Sequence, residues 1–206
     1  MKIIECTQGS GDWMGLRCGR PTASRADCII TPGGKPVTGA KRESYMHELA
    51  AEAVTESVEM HFVTAAMERG TNLEPEARAW YELAADTAVQ AVGFVTCDDG
   101  RWGCSPDGLV GAHGGIEIKC PERRQMVKCL LSDTPPKDYL PQVWMSLLTC
   151  ERRWWDLIVY TDEPCLPNKR WRVERDESIM EVMRESLKSF CDELLKCVEK
   201  IQSQRM

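Results

Sequence analysis

The chain has 206 residues, 43% of them hydrophobic, and a formal net charge of −6 at pH 7. That composition suits one well-buried core with elaborations. No apolar run approaches the roughly 20 residues of a membrane span. The opening Met1-Lys2-Ile3-Ile4-Glu5-Cys6 lacks the apolar stretch of a secretory leader, so the expectation is a cytoplasmic protein with no membrane partner. The eleven cysteines run from Cys6 to Cys197 without a Cys-x-x-Cys pair, and read as reduced thiols acting as small hydrophobes. Net acidity does not announce a nucleic-acid binder. Basic residues nevertheless cluster locally, as Arg17/Arg20/Arg25, Lys41/Arg42, Arg123/Arg124, Arg152/Arg153 and Lys169/Arg170/Arg172, and phosphate attraction depends on the local field.

Short helical patterns cover residues 10–18 and 22–29, with Thr22 and Ser24 as natural N-caps for the second. The segment 31–36, dense in Pro and Gly, reads as an exposed loop. Helical spacing returns over 42–57 and again over 65–85, where Pro75 predicts a break beside Glu74. Residues 91–96 look like a strand, turned at Asp98-Asp99-Gly100 onto a partner at 101–105. A segment at 107–110 and a turn at 111–115 lead into 116–120, which alternates like a half-buried strand. A helix fits 139–149, with Pro141 in its first turn and Tyr139 just outside. Strands fit 154–160 and 171–173. Ile179, Val182, Met183, Leu187, Phe190, Leu194, Val198 and Ile201 form one apolar stripe of a closing helix. The expected fold is α/β (α+β): a central mixed β-sheet flanked by helices. It is organised as one domain over 1–206, with a helical part at about 1–90, a sheet core at about 91–175 and a C-terminal helix at about 176–202.

The chemistry concentrates in Ser105-Pro106-Asp107-Gly108, followed by Glu117-Ile118-Lys119. Residues two apart on a strand share a face, so Glu117 and Lys119 point together while Ile116 and Ile118 point into the core. The turn at 111–115 folds Asp107 back beside them. Two carboxylates can hold Mg2+ while leaving positions for water and phosphate, and an adjacent lysine can orient that water. A second ion needs another carboxylate, from Glu74 or Glu76. The bare pattern fits equally well an Asp in a turn and an exposed Glu-x-Lys strand edge.

Further segments accompany it in order: Asp12-Trp13-Met14-Gly15-Leu16-Arg17 with Gly19 to Ser24, Gly70 to Arg78, Glu117-Ile118-Lys119-Cys120-Pro121, and Tyr139-Leu140-Pro141-Gln142-Val143. With them the chain resembles the lambda exonuclease and YqaJ-like viral recombinase family of the PD-(D/E)XK nuclease superfamily. The resemblance implies a restriction-endonuclease-like core. It also implies a Mg2+-dependent 5′→3′ exonuclease on double-stranded DNA ends that releases mononucleotides and leaves 3′ overhangs for recombination. By the same resemblance Asp107, Glu117 and the Ile118 carbonyl hold the principal metal. Glu74 completes a two-ion site in which Mn2+ can substitute, Lys119 is the catalytic lysine, and Gln142 is the motif glutamine. Arg17, Ser24 and Ser105 match a pocket for the terminal 5′-phosphate, and Arg20, Arg25 and Tyr139 are placed for DNA contact. A homotrimeric ring and a phage single-strand annealing protein are the implied partners, in a host cytoplasm if the chain is phage- or prophage-encoded. The alternatives are another PD-(D/E)XK repair or CRISPR-associated nuclease, or an inactive DNA-end-binding module.

Overall fold

A computed structural model describes residues 1–58 and 64–205; His61, whose role the sequence leaves open, lies outside them. A short strand β1 (Lys2–Ile4) precedes helices α1 (Gly11–Arg17), α2 (Ala40–Thr55) and α3 (Ala65–Ala85). Strands β2 (Val89–Gln90), β3 (Phe94–Thr96), β4 (Gly103–Cys104), β5 (Gly108–Val110) and β6 (Gly114–Lys119) follow. Then come α4 (Arg123–Leu130), α5 (Leu140–Thr149), β7 (Trp154–Val159), β8 (Lys169–Glu174) and the long α6 (Glu177–Gln202).

The strands divide into two sheets. The expected hairpin at Asp98-Asp99-Gly100 pairs Val95 with Cys104, but with β1 it builds a small separate sheet, order β1-β3-β4. The central sheet has the order β2-β5-β6-β7-β8 and is mixed: β6 and β7 run parallel, joined through α4 and α5, and the other pairs are antiparallel.

Helices cover both faces of the central sheet. On one, Ile116, Ile118 and Ile158 pack with Ala77 and Tyr81 of α3. On the other, Leu109, Trp155 and Leu157 join the main core with α5 and α6. The 116–120 segment therefore departs from the half-buried reading: Glu117 is only 2% exposed. With α3 on one face and α5 and α6 on the other, the strand is buried on both sides, so alternation of polar and apolar residues no longer reports solvent. Gly115 is required here, because a Cβ would come within 2.3 Å of the Trp155 ring.

Two further expectations are corrected, and one helix was not foreseen. Residues 23–28 form a kinked 3-10 segment, non-helical at Arg25, and the Thr22 side chain makes no capping bond. Pro75 lies inside α3 without ending it; the carbonyl it leaves unpaired belongs to the exposed Thr71, where water can satisfy it. The helix α4 had no prediction; its buried Met126 and Cys129 pack on Val159 and Trp171, too few apolar positions to show a period. The C-terminal stripe stands, with Met183, Leu187, Phe190 and Leu194 buried and Asp176 capping the helix through Ser178 N–H.

Candidate active site

The ladder between β5 and β6 pairs Gly108 with Ile116, so its next step sets Asp107 against Glu117. Asp107 Oδ2 accepts the Ile118 backbone N–H at 2.5 Å. Gly108 lets β2 pack against β5 beside this residue, since a Cβ there would lie 2.1 Å from Val89. Lys119 Nζ stands 2.7 Å from Glu117 Oε1 and donates to Gln142 Oε1 at 2.9 Å. Gln142 Nε2 donates to the same Glu117 oxygen at 2.6 Å. Gln142 is carried by the first turn of α5, where Pro141 sits without cost because those N–H groups have no helical partner. Tyr139 ends a 3-10 turn just before α5, its ring 5.5 Å from Lys119 Nζ.

From α3, Glu74 is half-buried and electrostatically coupled to both Glu117 and Asp107. Glu76 is exposed and acts instead on Tyr160. Arg78, given no role in the sequence analysis, pairs with Glu74 at 2.5 Å and donates from Nε to the Asp107 carbonyl at 3.1 Å. Its i,i+4 spacing from Glu74 is the feature that could have found it.

The electrostatics are those of a crowded acidic site. Burial pushes the Asp107 carboxyl well above the usual carboxylate range, and Glu117 and Glu74 add to that, against Lys119 and the Ile118 N–H. Burial likewise raises Glu74, opposed by Arg78. For Lys119, burial disfavours the ammonium, but Glu117 and Asp107 outweigh it and raise its pKa.

These surroundings fit a hard divalent cation. Glu117 Oε2 is buried with no hydrogen-bond partner, an orphaned acceptor whose desolvation goes uncompensated, and oxygen donors are what Mg2+ takes. Among the described residues no three His, Cys, Asp or Glu side chains already converge as a ligand set. One Glu74 oxygen is bonded to Arg78 and one Asp107 oxygen to the Ile118 N–H, which leaves the second oxygen of each carboxylate for a cation.

A second cluster adjoins the first. Arg17 reaches the hydroxyls of Ser24 at 3.0 Å, Thr22 at 3.2 Å and Ser105 at 3.5 Å. Trp13 lies under the guanidinium, 4.3 Å from carbon to ring centroid, and its indole N–H donates to Ser105 at 2.8 Å. Sequence reasoning missed the contributions of Trp13 and Thr22; a Trp four residues before an Arg on a short helix was the available signal. Arg17 has no carboxylate partner among the described residues, and burial lowers its pKa. A desolvated cation ringed by hydroxyls suits an anion. Arg25 is instead engaged by Glu48 at 3.0 and 3.2 Å, and Arg20 is turned toward the Leu16 carbonyl and the Phe94 ring.

Comparison with known proteins agrees with this geometry. Residues 12–153 match the model of the YqaJ-like viral recombinase domain. LHK-Exo, an alkaline exonuclease from Laribacter hongkongensis, is 32% identical; the match covers 95% of this chain and 98% of that one, with a TM-score of 0.85. The LHK-Exo complex with dAMP gives 0.86 at the same identity and coverage. A phage related exonuclease from Haemophilus somnus 129PT shares the fold at 12% identity and a TM-score of 0.58, covering 100% of this chain and 98% of its own. No curated protein matches the chain, and among the described residues no helix is long and apolar enough to cross a membrane. The mixed α/β architecture is that of a PD-(D/E)XK nuclease core, and the chain belongs to the YqaJ-like viral recombinase family.

Proposed function

We propose that the protein is a metal-dependent deoxyribonuclease that resects linear duplex DNA 5′→3′. In this reading it releases 5′-mononucleotides and leaves 3′ single-stranded overhangs for phage-type recombination. The observation that carries the reading is the junction of the two clusters through Ser105-Pro106-Asp107. Ser105 belongs to the hydroxyl ring around Arg17, and Asp107 to the carboxylate site. Two residues of chain span at most about 7 Å, the scale of one nucleotide of DNA backbone. A terminal phosphate gripped by Arg17, Ser24 and Ser105 therefore sets the next phosphodiester at Asp107 and Glu117. In this reading ends are selected over interior sites and single nucleotides are released. The complex of LHK-Exo with dAMP, itself a mononucleotide, supports the same product.

Asp107, Glu117, Glu74 and the Ile118 carbonyl would hold Mg2+, as two ions per site with Mn2+ able to substitute. When bound, the metal supplies charge stabilisation on phosphate and lowers the pKa of a water. Lys119 Nζ donates hydrogen bonds toward the reacting phosphate and its attacking water. Gln142 holds Lys119 and Glu117 in one alignment, and Tyr139 walls the lysine on one side. Arg17 fixes the end of the strand, so that orientation is settled before chemistry. Arg20 adds positive field for the duplex beside the Arg17 cluster, and Arg25 reaches DNA only by exchanging its Glu48 partner for phosphate.

A ring of three subunits around the duplex and a single-strand annealing protein that takes up the 3′ strand complete the proposal, in the cytoplasm of the cell where recombination occurs. Local cationic surface on an inner wall is compatible with the overall charge of −6. The test is topological. With Mg2+, linear duplex DNA should be degraded while the same DNA as a covalently closed circle survives. Cutting of the closed circle would replace this reading by an endonuclease.

A further inference from the structure

Beyond the ligands themselves, the structure points to a residue that aligns them. We propose that Arg78 is a positioning residue, which fixes Glu74 of α3 against the Asp107 segment so that both carboxylates face one cation. The inference rests on the metal-dependent reading above.

Glu74 and Arg78 are four residues apart on one face of α3. An ordinary pair of this kind on a helix surface is a closed contact between two side chains, worth little and dispensable. This pair has a third member from another element. The guanidinium gives Nη2 to Glu74 Oε1 at 2.5 Å and Nε to the Asp107 carbonyl at 3.1 Å, so one rigid planar group ties the helix to the residue just before β5. Side-chain exposures of 26% for Arg78 and 30% for Glu74 place the pair in the wall of the site rather than on an open surface. Both line a cavity of about 530 Å³, which Asp107, Gln8 and residues 90–93 also border.

The chemistry of the bonds assigns the role. Arg78 uses one oxygen of Glu74 and the backbone oxygen of Asp107, and takes neither Asp107 carboxylate oxygen. The second Glu74 oxygen is left for a cation. A fork with fixed donor directions can satisfy two acceptors from separate elements at once, whereas a lysine ammonium offers a point charge on a flexible stem. Hydrogen-bonded partners of metal carboxylates set ligand orientation, and their loss typically costs about 10–100-fold in metal affinity or activity.

The test is Mn2+ binding to the full-length protein without DNA, by calorimetric titration, for wild type, Arg78→Ala and Arg78→Lys. Arg184→Ala, which breaks a comparable pair with Glu181 on α6, serves as the control for loss of a helix-surface pair. Arg78→Ala should weaken Mn2+ binding by about 10–100-fold, Arg78→Lys should fall between it and wild type, and Arg184→Ala should match wild type. Far-UV circular dichroism establishes folding, and if Arg78→Ala does not fold, Arg78→Lys alone decides. Equal Mn2+ affinity in wild type and a folded Arg78 variant overturns the positioning role and leaves the nuclease reading standing. Failure of the wild type itself to bind Mn2+ overturns both.

Discussion

Gln142 donates to Glu117 Oε1 at 2.6 Å while accepting from Lys119 Nζ at 2.9 Å. One amide from α5 thus binds both polar side chains that β6 contributes to the candidate site. Neither Glu117 nor Lys119 can rotate without breaking a bond to the other's partner. Gln142 should therefore keep these two side chains in register, and Gln142→Ala should lower kcat by about 10–100-fold, the usual cost of losing such a supporting partner. DNA affinity measured in EDTA should be unchanged; steady-state kinetics beside fluorescence anisotropy distinguish the two.

Lys119→Ala removes the proton-bearing group but leaves the carboxylates. Cleavage should fall by roughly 10²–10⁴-fold, the range for a positioned acid–base or proton-donating group, with binding to duplex ends largely retained. Turnover near the wild-type rate would remove Lys119 from the mechanism.

Arg17→Ala addresses the end pocket. Hydrogen bonds to charged groups contribute about 1.5–3 kcal/mol, so the preference for 5′-phosphorylated over 5′-hydroxyl ends should drop by roughly 10–100-fold. Activity on hydroxyl ends should change little. An unaltered preference in competition assays would detach the Arg17 cluster from phosphate.

Away from the site, Asp156 of β7 is buried at 1% exposure. It accepts from Arg172 at 2.8 and 2.9 Å and from the Tyr81 hydroxyl at 2.7 Å. Arg172 is half-exposed, so the cost of breaking the pair falls on the carboxylate left behind. Removing one partner of a buried pair costs about 3–5 kcal/mol; Arg170, at 3.9 Å, offsets part of it. Arg172→Ala should therefore lower unfolding free energy by about 3 kcal/mol, read by urea denaturation. A change below about 1 kcal/mol, the worth of a surface pair, would contradict this.

Much of this was legible in the sequence, and the gaps have physical causes. The strand carrying Glu117 and Lys119 showed its period, and the Asp107 turn followed from Gly111 to Gly115. The long stripe of α6 was unmistakable because one face alone is buried. The sequence could not reveal that Glu117 is covered, since covering comes from α5, remote in sequence. It could not separate β3 and β4 from the central sheet, because a hairpin carries no information on which sheet it joins. Thr22 and Ser24 were legible as caps by residue type, yet their hydroxyls turn to Arg17, a tertiary partner. Arg78 offered only its i,i+4 spacing from Glu74; its further contact is to a backbone carbonyl, which leaves no trace in side-chain spacing.

The most direct measurement uses linear duplex DNA carrying either 5′-phosphate or 5′-hydroxyl ends, labelled internally. It is incubated with wild-type protein in Mg2+, with EDTA, and with Asp107→Ala. The expected result is Mg2+-dependent release of 5′-mononucleotides from phosphorylated ends, with 3′ single strands left behind and no product in either control. Trimming from 3′ ends, or equal release with EDTA or with Asp107→Ala, would contradict it.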